Sequence, residues 1–182
     1  MENKTNGIQM IKKYDNFFPP HIQTRIFGYI ITSNYAIGWD DSTEVQHRAH
    51  PNLHRRFVLD QYSEWWLNPI IECVLPKLTD KNITKEDFKE GYFNLTKPCD
   101  INFIHNHPDC YVFLHYSNCS WNPEWGGETL FYEDNGKDIL DCNPYVPNRG
   151  VIFDGNILHT IKAQNTLGPS YRFTTSLFFN KK

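Results

Sequence analysis

The 182-residue chain contains no apolar run approaching the roughly 20 residues that a membrane-spanning helix needs, so no membrane association is expected. Its opening Met1-Glu2-Asn3-Lys4 leads into no signal-peptide core. An excess of one charge is also missing. Eighteen Lys and Arg against 21 Asp and Glu leave a formal charge of -3, which gives no reason to expect general nucleic-acid binding. The five cysteines are odd in number and form no CxxC pair. They are expected to be reduced thiols, and a cytoplasmic location is expected with them. Internal repeats and low-complexity linkers are absent, so residues 1–182 are expected to form a single domain with a substantial core.

What is present is aromatic and polar in unequal halves. Aromatic residues make up 15% of the chain. The first sixteen residues predict a loose lead-in or a single edge strand. Pro19-Pro20 suits a helix start, and Ile22, Ile26 and Ile30 share one face of a helix over 20–32. A second helix is expected from about Leu59 to Leu75, kinked or split at Pro69 and ended by Pro76. Thr84, Glu86 and Asp87 predict a short capped helix over 84–89. Residues 33–57 show no period and are either a substrate lid or a solvated loop.

Beyond Gly91 short alternating runs follow one another at 92–95, 101–104, 111–116, 129–132, 150–153, 159–163 and 172–179, with turn-forming residues between them. The pattern predicts a mainly β fold with N-terminal helices, a double-stranded β-helix (jelly roll) whose helices buttress one sheet. Residues 1–90 would be the helical support and 91–182 the jelly-roll core.

Three residues stand out as metal ligands. His107 and Asp109 are two apart and would share a face on a regular strand. His159 follows the apolar 151–153 run and the Gly155 turn. Two imidazoles and a carboxylate compose the facial triad of a catalytic iron(II), leaving the remaining positions open for chemistry. His105 offers an alternative set with His107 and His159, which would suit zinc or a cupin-type metal. His47, His50, His54 and His115 are expected at the surface or a pocket rim.

Arg172, Thr174 and Ser176 alternate onto one face of the last strand, while Phe173 and Leu177 face the other way. An inward arginine is costly unless paired, and its fork matches a carboxylate. Tyr116, ending the 111–116 run, could donate to the same carboxylate. Trp121, Trp125 and the Gly126-Gly127-Glu128-Thr129 turn lie between, with Trp125 at an entrance or in packing.

In this order the motifs carry a family resemblance over about 85 residues. His107-Pro108-Asp109, Tyr116-Ser117-Asn118 with Trp121, Trp125-Gly126-Gly127-Glu128-Thr129, the 146–159 run and Arg172 resemble the iron(II)- and 2-oxoglutarate-dependent dioxygenases, above all their prolyl 4-hydroxylase-like branch. The resemblance implies iron(II) held by His107, Asp109 and His159, with 2-oxoglutarate as co-substrate bound through Arg172, Tyr116 and Thr174. It further implies molecular oxygen as oxidant, ascorbate as a reductant, and hydroxylation of a peptide, protein or small-molecule substrate. Collagen-type relatives carry lysine where this chain has Arg172, so a collagen-like substrate is not implied. Two alternatives remain at this point: a cupin-type metalloenzyme independent of 2-oxoglutarate, and a binding module without catalysis.

Overall fold

A computed structural model describes residues 10–38 and 52–182. Within them the chain forms two antiparallel sheets and two α-helices. The larger sheet runs β1 (Ile11–Tyr14), β8 (Gly150–Asp154), β5 (Cys110–Tyr116), β10 (Arg172–Asn180), β4 (Phe88–Thr96), β3 (Leu53–Phe57) and β2 (Ala36–Ile37), in that spatial order. The smaller sheet is β7 (Ile139–Asn143), β6 (Thr129–Tyr132) and β9 (His159–Ile161). None of the described helices is long and apolar enough to cross a membrane.

Helix α1 (Pro20–Thr32) matches the expected span, with proline in its first turn and Ile22, Ile26 and Ile30 buried. Helix α2 (Glu64–Val74) is shorter than expected at its start and passes through Pro69 without a break. The start is delayed because Asp60 Oδ1 accepts from the Tyr62 and Ser63 amides while Ser63 Oγ donates to the Val58 carbonyl. That side-chain turn occupies residues 58–63 and competes with helical bonding. The expected 84–89 helix reduces to one 3-10 turn, Lys85–Asp87, with a capping box between Thr84 and Asp87.

Alternation along each strand divides the core in two. One face of the large sheet packs Phe93, Phe113, Ile152, Phe173, Leu177 and Phe179 against the isoleucines of α1 and Leu67, Ile70, Ile71 and Val74 of α2. Each such side chain contributes about 1.5–3 kcal/mol by leaving water. The opposite face turns Tyr92, Val112, Leu114, Phe153 and Phe178 toward Phe131 and Ile157. A second, smaller core results, and one end of it stays open as the site.

The sequence patterns miss or misplace several elements. The 101–104 run is no strand: Ile101 and Ile104 are exposed, and only His105 beyond them pairs, as an isolated bridge to His159. Strand β7 lacks a buried face over most of its length, which explains its weak pattern. The N-terminal half supplies β1, β2 and β3 to the large sheet besides its helices. Residues 39–51 of the expected lid region, including His47 and His50, lie outside the described residues.

His115 is the plainest correction, being fully buried on the helix side of β5 rather than at the surface. Its Nε2 donates to Asn148 Oδ1 at 3.2 Å, and its Nδ1 lies 3.0 Å from Ser117 Oγ. Burial lowers its pKa to about 4. The folded state therefore refuses a proton that the unfolded chain accepts at about 6.5, and stability falls as pH drops through this window. Denaturant unfolding of the metal-free protein between pH 7 and pH 4 should show the His115→Gln variant losing stability more gently than wild type, by up to about 1.4 kcal/mol per pH unit. Equal slopes would show that His115 is not held neutral.

Candidate metal centre

Three imidazoles meet where the open ends of the two sheets face each other. His105, His107 and His159 place one potential ligand atom each within 4.8 Å of the others. Their ring centroids are separated by 4.9 Å (His105–His107), 4.4 Å (His105–His159) and 5.2 Å (His107–His159). No other group of three or more such residues occurs among the described residues.

Backbone pairing makes the meeting possible. The His105 amide donates to the His159 carbonyl at 3.0 Å and the His159 amide returns a bond to the His105 carbonyl at 2.9 Å. This reciprocal pair joins residues far apart in sequence and sets their side chains beside each other. His107 is fixed separately, its amide donating to the Gly155 carbonyl at 2.7 Å. The His107 carbonyl comes so close to Gly155 that any side chain there would collide with it. The glycine thus permits the contact that holds His107 in place.

The protonation states suit metal binding. His105 Nδ1 lies 3.0 Å from the Phe103 carbonyl and His159 Nδ1 lies 2.8 Å from the Ile157 carbonyl. A carbonyl can only accept, so each Nδ1 carries the hydrogen and each Nε2 keeps its lone pair for a ligand. Burial, with the neighbouring His105, lowers the His159 pKa to about 3. His107 is pushed well below the ordinary histidine value by burial first, then by His159, His105 and Lys89. Neutral imidazoles are what a divalent transition metal requires.

Asp109 does not join them. It is exposed, with a left-handed backbone (φ 62°), and does not line the cavity around the three histidines. Its carbonyl accepts from the Lys181 amide at 2.8 Å. The rule that residues two apart share a face holds on a strand, but Pro108 and Asp109 form the turn into β5. His105 and His107, also two apart, meet although neither lies in a named strand: His105 is held by its isolated bridge to His159 and His107 by its bond to Gly155.

From the histidines a narrow cavity of about 70 Å³ runs inward between the sheets. Thr129, Asn94, Thr174 and Ser176 line it, and Asn52 forms part of its wall together with His54, which was expected at the surface or a pocket rim. Thr174 is fully buried, and its Oγ1 has no partner among the described residues. Two residues deeper on the same face of β10 lies Arg172, 1% exposed. Its Nε donates to the Gly127 carbonyl at 3.0 Å. The guanidinium carbon sits 5.5 Å from the Tyr116 ring centre and 4.9 Å from that of Tyr145. Among the described residues neither Nη1 nor Nη2 has a hydrogen-bond partner. Burial pulls the Arg172 pKa down, opposed by Tyr145, Tyr116 and Glu128, yet guanidinium stays ionised in proteins. A buried cation with four unshared N–H groups has the chemistry to seat an anion, above all a carboxylate.

The residues around Arg172 give the sequence motifs their purpose. Gly127 has φ 85°, and a side chain there would press on Arg172 Cδ and Nε and on Trp121 at 3.2 Å. Trp121 Nε1 donates to the Gly126 carbonyl at 3.0 Å and its ring packs 4.2 Å from Tyr145. Tyr116 lies under the guanidinium but does not line the cavity. Its hydroxyl is 2.9 Å from Thr129 Oγ1 and 3.1 Å from the Asn143 carbonyl, and it accepts from the Asn143 amide at 2.8 Å. Trp125 packs against Trp121 and Gly168.

No known protein-family profile matches the chain, and no curated protein matches it in sequence. Its fold, however, is that of the 2-oxoglutarate- and iron(II)-dependent oxygenases, the prolyl hydroxylases among them. A prolyl hydroxylase from Trichoplax adhaerens, solved with a peptide fragment of the hypoxia inducible factor oxygen degradation domain, superposes with a TM-score of 0.72 at 13% identity, over 96% of this chain and 84% of the other. A prolyl-4-hydroxylase from Pseudomonas putida gives 0.69 at 15% identity, over 96% and 94%. The viral collagen prolyl hydroxylase of Paramecium Bursaria Chlorella virus-1, solved as a 2-oxoglutarate complex, gives 0.66 at 11% identity, over 94% and 96%.

The geometry predicts which residues carry a metal. Calorimetric titration with cobalt(II) or zinc should find affinity reduced at least about a hundredfold in each of His105→Ala, His107→Ala and His159→Ala, since even loss of an outer partner costs 10–100-fold. Asp109→Ala should bind within threefold of wild type, and a large loss there would restore the carboxylate to the ligand set.

Proposed function

We propose that the chain is an iron(II)- and 2-oxoglutarate-dependent oxygenase with a double-stranded β-helix core, hydroxylating a C–H bond of a peptide or protein, with a prolyl side chain the first candidate. The observation that carries this reading is a cavity with three imidazoles at one end and, beyond the other, a buried guanidinium whose two Nη groups have no partner among the described residues. A linear dicarboxylate with an oxo group beside one carboxylate answers both ends at once.

The residues fit the two groups. His105, His107 and His159 would hold the metal through nitrogen, with no carboxylate among them. Arg172 would receive the far carboxylate of 2-oxoglutarate, and Thr174 Oγ1 would donate to it. Tyr116 acts through position: its ring supports the guanidinium and its hydroxyl holds Thr129 at the cavity wall. Bound together, the metal and co-substrate supply an oxidative decarboxylation in which 2-oxoglutarate, oxygen and R–H give succinate, carbon dioxide and R–OH. The protein contributes neutral ligands, an anion seat and a cavity walled by Val112, Leu114, Phe153 and Phe178 that limits water.

A second reading is favoured by one observation. An all-histidine donor set also suits a cupin-type metalloenzyme that uses no 2-oxoglutarate. Arg172 weighs against it, because such an enzyme leaves the buried guanidinium with nothing to bind.

Succinate formation separates the two. With iron(II), ascorbate and 2-oxoglutarate, wild type and Asp109→Ala should both produce succinate, and His105→Ala should not. Arg172→Lys should raise the 2-oxoglutarate requirement about 10–100-fold, the worth of a charge-assisted pair. Metal binding without any consumption of 2-oxoglutarate would favour the cupin-type reading.

A further inference from the structure

The inner cavity is not the only depression that reaches a metal-binding histidine. A larger groove of about 430 Å³ opens on the other side of His107, walled by Arg56, Lys89, Glu90, Tyr92 and Phe178. His107, Tyr92 and Phe178 line both spaces, and the Phe178 ring lies 4.6 Å from that of His107. One imidazole and two rings therefore separate groove from cavity. If a dicarboxylate fills the cavity toward Arg172, a second reactant must come to the metal from the other side, where this groove lies.

The charges of the groove have a sign. Arg56 stands opposite Tyr92 in the β3–β4 ladder, and its Nε donates to Glu90 Oε2 at 2.6 Å. The Tyr92 hydroxyl lies 3.3 Å from the same oxygen. Glu90 is thus committed to Arg56. Lys89 is half exposed and meets Glu90 Oε1 only at 3.8 Å, and its charge is felt at His107. Among the described residues, two cations against one carboxylate leave the wall net positive. The histidine ligands add no negative charge, so nothing in the metal set offsets it.

We infer that this groove receives an acidic side chain of the substrate, held by Lys89 with Arg56, next to the residue that is oxidised. The inference rests on the oxygenase reading for the direction of approach. An acidic residue would gain both a charge partner and long-range attraction that salt weakens.

The test is binding, measured apart from turnover. The zinc-loaded protein is first titrated with 2-oxoglutarate, which checks the oxygenase reading by itself. In the presence of 2-oxoglutarate it is then titrated with three blocked peptides, Gly-Asp-Pro-Gly, Gly-Asn-Pro-Gly and Gly-Lys-Pro-Gly, followed by chemical-shift perturbation. The aspartyl peptide should bind at least tenfold tighter than the asparaginyl one, and the lysyl peptide weakest. The preference should shrink severalfold in 0.5 M salt and in Lys89→Gln. An equal or reversed order, a preference unchanged in Lys89→Gln, or no binding of any peptide would overturn the inference. Normal 2-oxoglutarate binding beside any of those results would leave the oxygenase reading standing.

Discussion

Strand β10 is paired on both edges, to β4 and to β5, and buried on both faces, so its alternation commits the interior to two different environments. Phe173, Leu177 and Phe179 face the helices, where apolar area is the main source of stability. Arg172, Thr174, Ser176 and Phe178 face the smaller sheet, the last three lining the cavity beside the three histidines. A register slip of one residue would exchange these sets, placing a guanidinium in the helix-side core and phenylalanines in the site. The helices and the apolar half of the sheet thus pin the register that places Arg172.

The site combines neutrality with an uncancelled cation. Burial keeps His107 and His159 unprotonated, and carbonyls of Phe103 and Ile157 orient His105 and His159. Farther in, the same burial would make Arg172 a liability in the empty protein. Tyr116 and Tyr145 lessen the cost through their ring faces, and Gly127 takes one of five N–H groups. Structures that share the fold at 9–15% identity show how little of such a scaffold is written in residue identity.

The elements legible from sequence are those whose patterns depend on local geometry. Ile22, Ile26 and Ile30 defined α1 because helical periodicity needs no knowledge of the partner surface. The faces of β10 were readable for the same reason. Strand β3 was not readable: Leu-His-Arg-Arg-Phe owes its pairing to β4, and its polar face borders a cavity and groove rather than bulk solvent. His115 looked like a rim residue because nothing nearby in sequence announces Asn148 as its partner.

The metal centre shows where local information ends. The sequence by itself determined that histidines cluster near 105–107, that another follows the Gly155 turn, and that an arginine faces inward from the last strand. Those facts follow from spacing and from the two-residue period of strands. Whether Asp109 or His105 stands beside His107 and His159 was decided by tertiary structure alone. The chain turns at Pro108-Asp109 and carries Asp109 outward, while the bridge between His105 and His159 brings His105 in. Both depend on hydrogen bonds between segments some fifty residues apart, and a pattern of neighbours contains no record of them.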